Sequence, residues 1–304
     1  MAARELVVLG TASQAPTRFR NHNGYFLRWD GEGILFDPGE GTQRQLVLAG
    51  VASSAITRIC ITHFHGDHCF GLPGVLARMV LDQLDDPVDV YFPAAGAIYV
   101  ERLQTASFAE RRMPVRAHPV DGPATVAEGP AFRIVARPLD HRTETVGWRV
   151  EEPDGIRLLP ERLDALGVRG PAVGRLIAEG TLTVAGRRVV IDEVSAPRRG
   201  QSMAFVMDTR WCDAALELAD GVDLLVCEST FLSAEADLAD VSGHLTAAQA
   251  ARLAAMGGVG RLVLTHFSQR HPDERAFLDE ATPIFAATTA ARDLDVIALP
   301  PRRG

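Results

Sequence analysis

Apolar residues along this chain fall into short runs, several of them unbroken, separated by stretches in which they recur every three or four positions. Leu6-Val7-Val8-Leu9, Ile59-Cys60-Ile61, Met203-Ala204-Phe205-Val206-Met207 and Leu262-Val263-Leu264 are of the unbroken kind. Runs of that length and β-branched content predict buried strands, and the three-to-four spacing predicts amphipathic helices. Two blocks result. The first has strands near 5–9, 25–29, 33–36, 58–61, 88–91 and 132–136, with helices near 42–49, 71–81 and 94–106. The second has strands near 203–207, 223–227, 261–264 and 294–298, with helices near 211–219, 246–256 and 273–286. Both blocks mix hairpin-like pairs with β-α units, so the expected fold class is α/β, two mixed sheets with helices on their outer faces.

The stretch 153–200 breaks this pattern. It carries Gly155, Gly167, Gly170, Gly174, Gly180 and Gly186 with Pro153, Pro160, Pro171 and Pro197. Over 156–200 eight arginines stand against five acids, a local charge of +3. The whole chain is the reverse: 31 basic residues, all of them arginine, against 39 acidic ones give −8. A basic, turn-rich insertion in an acidic protein is where an anionic partner is expected, a solvated surface excursion being the plainer alternative. The acidic total argues against a general nucleic-acid coat without excluding a local basic patch.

Composition adds bounds and little more. A chain of 304 residues with 47% apolar content suffices for one large domain or two small ones. Cys60, Cys69, Cys212 and Cys227 have no CxxC spacing, and two of them sit in strand-like runs, so free thiols in a reducing compartment are expected. Residues 1–5 lead straight into the first strand without a signal-like segment, and no apolar run reaches membrane-spanning length. The expected location is the cytoplasm, with no membrane partner.

Chemistry concentrates in His63-Phe64-His65-Gly66-Asp67-His68, just beyond the carboxyl end of the strand Ile59-Cys60-Ile61-Thr62. Three imidazoles and a carboxylate in six residues are the donors that zinc prefers, with Mn²⁺ and Fe²⁺ as alternatives. A merely solvated polar loop has no reason to carry them behind a buried strand, at the edge where α/β proteins hold their ligands. Three more residues each follow a strand-like run: His141, Asp208 and His266. Cys69, next to His68, reads as a small packing residue rather than a ligand.

This set resembles the metallo-β-lactamase superfamily, and further segments resemble one branch of it, the ribonuclease Z family of tRNA 3′-processing endoribonucleases. Leu35 to Gln43 (LFDPGEGTQ) looks like that family's FD-x-GEGTQ segment, and Pro16 to Asn21 like its P…RN loop. His141 to Arg149, Asp208-Thr209-Arg210 and Cys227 to Phe231 resemble its H-R-x-E-x-x-G-Y-R, D-T-R and C-E-A-T-F segments. His244 to Ala250 and Thr265 to Arg270 resemble H-x-T-x-x-Q-A and T-H-x-S-x-R. The likeness spans about 5–300; the histidine run alone is shared across the superfamily, while the ensemble points to the family. Pro38 stands where Cys is frequent, His271 where Tyr is frequent, and Trp148 for Tyr as a swap of small consequence. Leu245 stands where longer relatives have Glu, which leaves His244 without its expected acidic support.

The resemblance implies a single αβ/βα sandwich over 1–304, with 153–200 as an inserted flexible basic arm. It implies two zinc ions per subunit, with manganese or iron possible: His63, His65 and His141 on one, Asp67, His68 and His266 on the other, Asp208 bridging. Two such ions lower the pKa of a shared water and take up charge in an in-line displacement. Asp67 would also serve as general base. His244 would contact the scissile phosphate or protonate the leaving group. The implied substrate is precursor tRNA, gripped away from the cut by an arm segment here read as Arg169, Gly170, Pro171 and Arg175, in a homodimer. Asp37 and Glu40 are either partners orienting a ligand histidine or helix N-terminal acids. His22 reads as an ordinary polar-turn residue, the alternative being one that approaches the cleft, and His118 as a surface or strand-end residue. Two other functions remain in view: a small-molecule phosphodiesterase, arylsulfatase or lactonase of the same fold, which needs no basic arm, and a non-catalytic RNA-binding scaffold, which needs no complete donor set.

Overall fold

The computed structural model describes residues 4–129 and 131–302. One sheet contains β1 (Glu5–Gly10), β2 (Gly24–Trp29), β3 (Glu32–Phe36), β4 (Arg58–Cys60), β5 (Val88–Pro93), β6 (Val115–Val120) and β18 (Val296–Ala298). The other contains β7 (Ala124–Glu128), β8 (Arg133–Leu139), β9 (Thr145–Glu151), β14 (Ser202–Val206), β15 (Leu224–Glu228), β16 (Arg261–Thr265) and β17 (Thr288–Ala290). Their orders are β18-β1-β2-β3-β4-β5-β6 and β17-β16-β15-β14-β9-β8-β7, antiparallel at one end and parallel at the other in both.

The unbroken apolar runs follow from burial on both faces. Leu6, Val8, Tyr25, Leu27 and Phe36 join Trp148, Met203, Phe205 and Val226 in one core between the sheets. The alternate residues Val7, Leu9, Phe26 and Ile59 face outward and pack against α1 (Thr42–Leu48), α3 (Leu72–Leu81) and α4 (Ala97–Gln104). Ala204, Val206, Leu225 and Leu264 do the same with α7 (Asp213–Ala219), α9 (Ala247–Met256) and α10 (Arg275–Ala281). Two short helices, α2 (Gly66–Cys69) and α8 (Ala236–Ser242), complete this unit. The metallo-β-lactamase sandwich expected from the sequence is the fold observed.

Several elements differ from expectation. β6, β7 and β17 were absent from the pattern because they lie at sheet edges with half-exposed faces; Val115-Arg116-Ala117-His118-Pro119-Val120 shows no clean alternation. The expected helix at 94–106 begins as a 3-10 turn and is α-helical only over Ala97–Gln104. Trp148 is fully buried and its Nε1 makes no hydrogen bond. No helix among the described residues is long and apolar enough to cross a membrane.

Residues 152–201, with Arg302, form a separate compact unit. It holds regular structure despite its glycines and prolines. β10 (Gly155–Leu158) pairs with β13 (Ser195–Arg198), and β11 (Thr181–Val184) with β12 (Arg187–Val190), around α5 (Pro160–Ala165) and α6 (Pro171–Glu179). Leu163, Val168, Leu176, Val189 and Val194 make its own small core. Gly170, at φ 57° and ψ −132°, stands in a region open only to glycine and turns the chain into α6, whose first residue is Pro171. Arg169, Gly170, Pro171 and Arg175 are all exposed, and Arg169 donates to Asp164 Oδ1 at 2.9 Å.

Candidate metal centre and its carboxylate supports

β14, β15 and β16 run parallel, so the residues after each of them emerge at one edge of their sheet, and β8 ends there too. That edge carries His141, Asp208, Glu228 and His266. β3 and β4 deliver Asp37 and the 63–68 run from the other sheet. All seven residues expected as ligands converge. His63, His65, His141 and Asp208 form one group and Asp67, His68 and His266 another, with the donor atoms of each within 4.8 Å of one another.

The two groups meet at Asp208. Its Oδ2 lies 3.5 Å from His63 Nε2 and 3.8 Å from His141 Nε2, while its Oδ1 lies 3.4 Å from His68 Nε2 and 3.2 Å from His266 Nε2. His63 Nε2 is 2.9 Å from His65 Nδ1, and Asp67 Oδ2 is 3.5 and 3.6 Å from His68 and His266 Nε2. Asp208 Oδ1 is buried and makes no hydrogen bond. Electron-pair donors converging this closely, with an orphaned carboxylate oxygen among them, fit divalent cations. Asp208, His266 and Asp37 all have positive φ (42°, 61° and 43°), a conformation uncommon outside glycine and held here by the surrounding sheet ends.

Electrostatics agrees with that fit. Burial lowers the pKa of His63, His65 and His141, keeping them neutral with a free lone pair. Burial also opposes charge on Asp67 and Asp208, but the neighbouring histidines outweigh it and hold both carboxyls well below the usual range. At His68 burial is outweighed by Asp208, Asp67 and Asp37, which raise its pKa: the pocket calls for positive charge. Burial pushes the Cys69 thiol up to about 12, and its Sγ donates to His65 O at 3.2 Å, so it packs as a neutral neighbour.

Two buried carboxylates orient the imidazoles, and they do so in the same way. Asp37 accepts from His68 Nδ1 directly at 2.8 Å and from Thr62 Oγ1 at 2.7 Å, and Thr62 Oγ1 in turn accepts from His63 Nδ1 at 3.1 Å. Glu228 accepts from His244 Nδ1 directly at 2.9 Å and from Thr230 Oγ1 at 2.7 Å, and Thr230 Oγ1 accepts from His266 Nδ1 at 2.8 Å. Each carboxylate thus fixes one ring by contact and a second through a threonine, presenting the remaining nitrogen to the site. Asp37 is the orienting partner and not a helix cap. Asp37→Asn is expected to weaken metal affinity by about 10–100-fold without unfolding the chain, measured by titration with zinc against a competing chelator.

The acid that supports His244 is not its neighbour in the chain, where Leu245 stands, but Glu228 at the end of β15. The one signal was an acid closing the apolar run Leu224-Leu225-Val226-Cys227. Burial disfavours charge on His244, but Glu228 and Asp208 outweigh it and hold its pKa up to about 9. Glu40 is largely exposed, with His22 Nδ1 3.8 Å away, and orients no ligand. His22 is buried, and it lines the cleft. His118 bonds Asp89 at 2.7 Å and stacks on Tyr91, away from the site. The cleft over the donors has a volume of about 420 Å³ and is lined by His65, Asp67, Asp208, His244 and His266 together with Arg142, Gln269 and Arg270.

Residues 17–84 match the family model of the metallo-beta-lactamase superfamily. The chain is 58% identical over 308 residues to the ribonuclease Z of Nocardia farcinica, covering 100% of both chains. It is 57% identical over 304 residues to that of Salinispora arenicola, covering 100% of this chain and 98% of the relative. The crystal structure of human tRNase Z, short form, superposes with a TM-score of 0.72 at 27% identity, over 98% of this chain and 100% of that one. Identity at this level, end to end and over a site assembled from both sheets, means that the chain belongs to the ribonuclease Z family.

Proposed function

We propose that the protein is a tRNA 3′-processing endoribonuclease, which hydrolyses the phosphodiester 3′ of the acceptor stem and leaves a 3′-hydroxyl on the tRNA and a 5′-phosphate on the trailer. The observation that carries this reading is the pair of donor groups sharing Asp208, with the His244–Glu228 pair beside them at the floor of one cleft. His63, His65 and His141 would hold one ion and Asp67, His68 and His266 the other, with Asp208 between; zinc suits this mixed imidazole and carboxylate set, with manganese or iron as alternatives. Bound there, divalent ions would acidify a water and stabilise charge developing on the phosphate oxygens.

The chain's own residues supply the rest. Asp67, held ionised, takes the proton of the attacking water. The new bond forms at phosphorus as the bond to the tRNA 3′-oxygen breaks. His244, its Nδ1–H held by Glu228, keeps Nε2 for the cleft and delivers a proton to the departing oxygen. The 152–201 unit fits the role of a tRNA-gripping arm: duplex RNA is held mainly through shape and phosphates, which exposed arginines such as Arg169 and Arg175 contact without reading sequence. A homodimer, in which the arm of one subunit serves the site of the other, belongs to the same reading and is checked by light scattering.

The deciding experiment is incubation of the metal-loaded protein with a tRNA precursor bearing a 3′ trailer, with both product ends mapped. One cut at the acceptor end supports the reading. No cut, together with turnover of a small ester or phosphodiester, would move the protein to the small-molecule branch. Replacing 159–194 by a short linker between β10 and β13 is expected to raise KM for precursor tRNA by about 10-fold or more, while small phosphodiesters are still hydrolysed. Equal loss on both substrates would contradict a separable arm.

A further inference from the structure

Phe70 follows α2 directly, three residues after Asp67, and its side chain lines the cleft while remaining 62% exposed. Its ring sits over the backbone of Gly66. One edge of the ring lies against Gly66, where an added Cβ would fall 2.5 Å from Phe70 Cε2 and 2.9 Å from Cζ. Only glycine leaves room for that seat, and the rest of the ring stays open to the cleft. Phe231, the other phenylalanine of the cleft, is 4% exposed and is packed beside His244 and under Arg270. Most of the other residues lining the cleft are polar, among them Gln14, Glu40, Arg142, Ser268 and Gln269, with Ala15 and Leu238 apolar. A braced aromatic ring exposed among polar groups, beside the carboxylate that serves the reacting phosphate, has one obvious complement in RNA. Unpaired bases stack on such rings, and stacking tolerates any base identity.

We infer that Phe70 is the platform on which a base flanking the scissile phosphate stacks, an inference that rests on the RNA-cleaving reading above. The cut lies beyond the paired acceptor stem, so the nucleotides on either side are free to splay. The stack fixes the rotation of the sugar-phosphate backbone over Asp67 and His244. It also lets a single site accept trailers of any sequence.

The test is single-turnover cleavage of a precursor tRNA by wild type, Phe70→Ala, Phe70→Tyr and Phe70→Trp, with metal content and melting temperature measured for each. The alanine variant is expected to lose about 10–100-fold in kcat/KM, and the two aromatic variants to stay within about threefold of wild type. Precursors carrying an abasic residue on the 5′ or the 3′ side of the cut complete the cycle. For one of them, wild type should lose as much as the alanine variant loses on the intact RNA, and the alanine variant should lose little more. Unchanged cleavage by Phe70→Ala, or abasic and alanine losses that multiply at both positions, would overturn the platform while leaving the endonuclease reading standing. A wild type that leaves the intact precursor uncut would overturn both.

Discussion

Asp67→Ala is expected to reduce precursor cleavage by about 10³-fold or more, roughly 4 kcal/mol of transition-state stabilisation. Two losses combine in that figure. The substitution removes the carboxylate proposed to accept the water's proton, and it takes one donor from the group formed with His68 and His266. Asp67→Asn separates them, because the amide retains a donor oxygen but cannot serve as a base. It should recover part of the metal content and little of the rate. Metal analysis beside single-turnover cleavage checks this, and an asparagine variant with near wild-type rate would remove Asp67 from the role of base.

His244→Ala should lower kcat by about 10²–10⁴-fold with most bound metal retained, since all seven proposed ligands stay in place while only the further grouping of His244 with Asp208 and His266 is lost. The leaving 3′-oxygen then departs without a proton donor. Glu228→Gln should cost less than His244→Ala but affect more: the amide no longer holds the charged imidazole, and the chain through Thr230 to His266 loses its anchor. The two changes should combine to less than the product of their separate effects, because both act through one proton. A precursor with a 3′-bridging sulfur, whose thiolate departs without protonation, should restore much of the rate to His244→Ala and little to Asp67→Ala. Equal rescue of the two would contradict the assigned roles.

The contrast between Asp67 and Glu228 marks what was legible in the sequence. Most donors were readable because they follow strands buried on both faces, and such strands are unbroken apolar runs: Met203 to Met207 before Asp208, Leu262 to Leu264 before His266; His141 follows β8, whose outer part is half-exposed. The segments that resemble the family supplied their grouping. The edge strands β6, β7 and β17 were not readable, since one half-exposed face leaves no regular alternation. The role of Asp37 was one of two open readings, and that of Glu228 was beyond reach. Whether a carboxylate faces an imidazole 31 or 16 positions away depends on which strands end side by side, and local spacing carries no trace of that. The same holds for the small core of the 152–201 unit, where five separated apolar residues give order to a stretch whose glycines and prolines suggested little.

His68 and His266 belong to different sheets and stand 198 positions apart in the chain, yet their Nε2 atoms approach within 3.2 Å. An ion held between them is therefore a removable staple across the whole sandwich. It stabilises by binding the folded chain and not the unfolded one, in which these two histidines no longer meet. Unlike a disulfide, it answers to the free concentration of metal. Starvation for metal would then reach this protein twice, first as lost turnover and then as a shorter lifetime against unfolding and proteolysis.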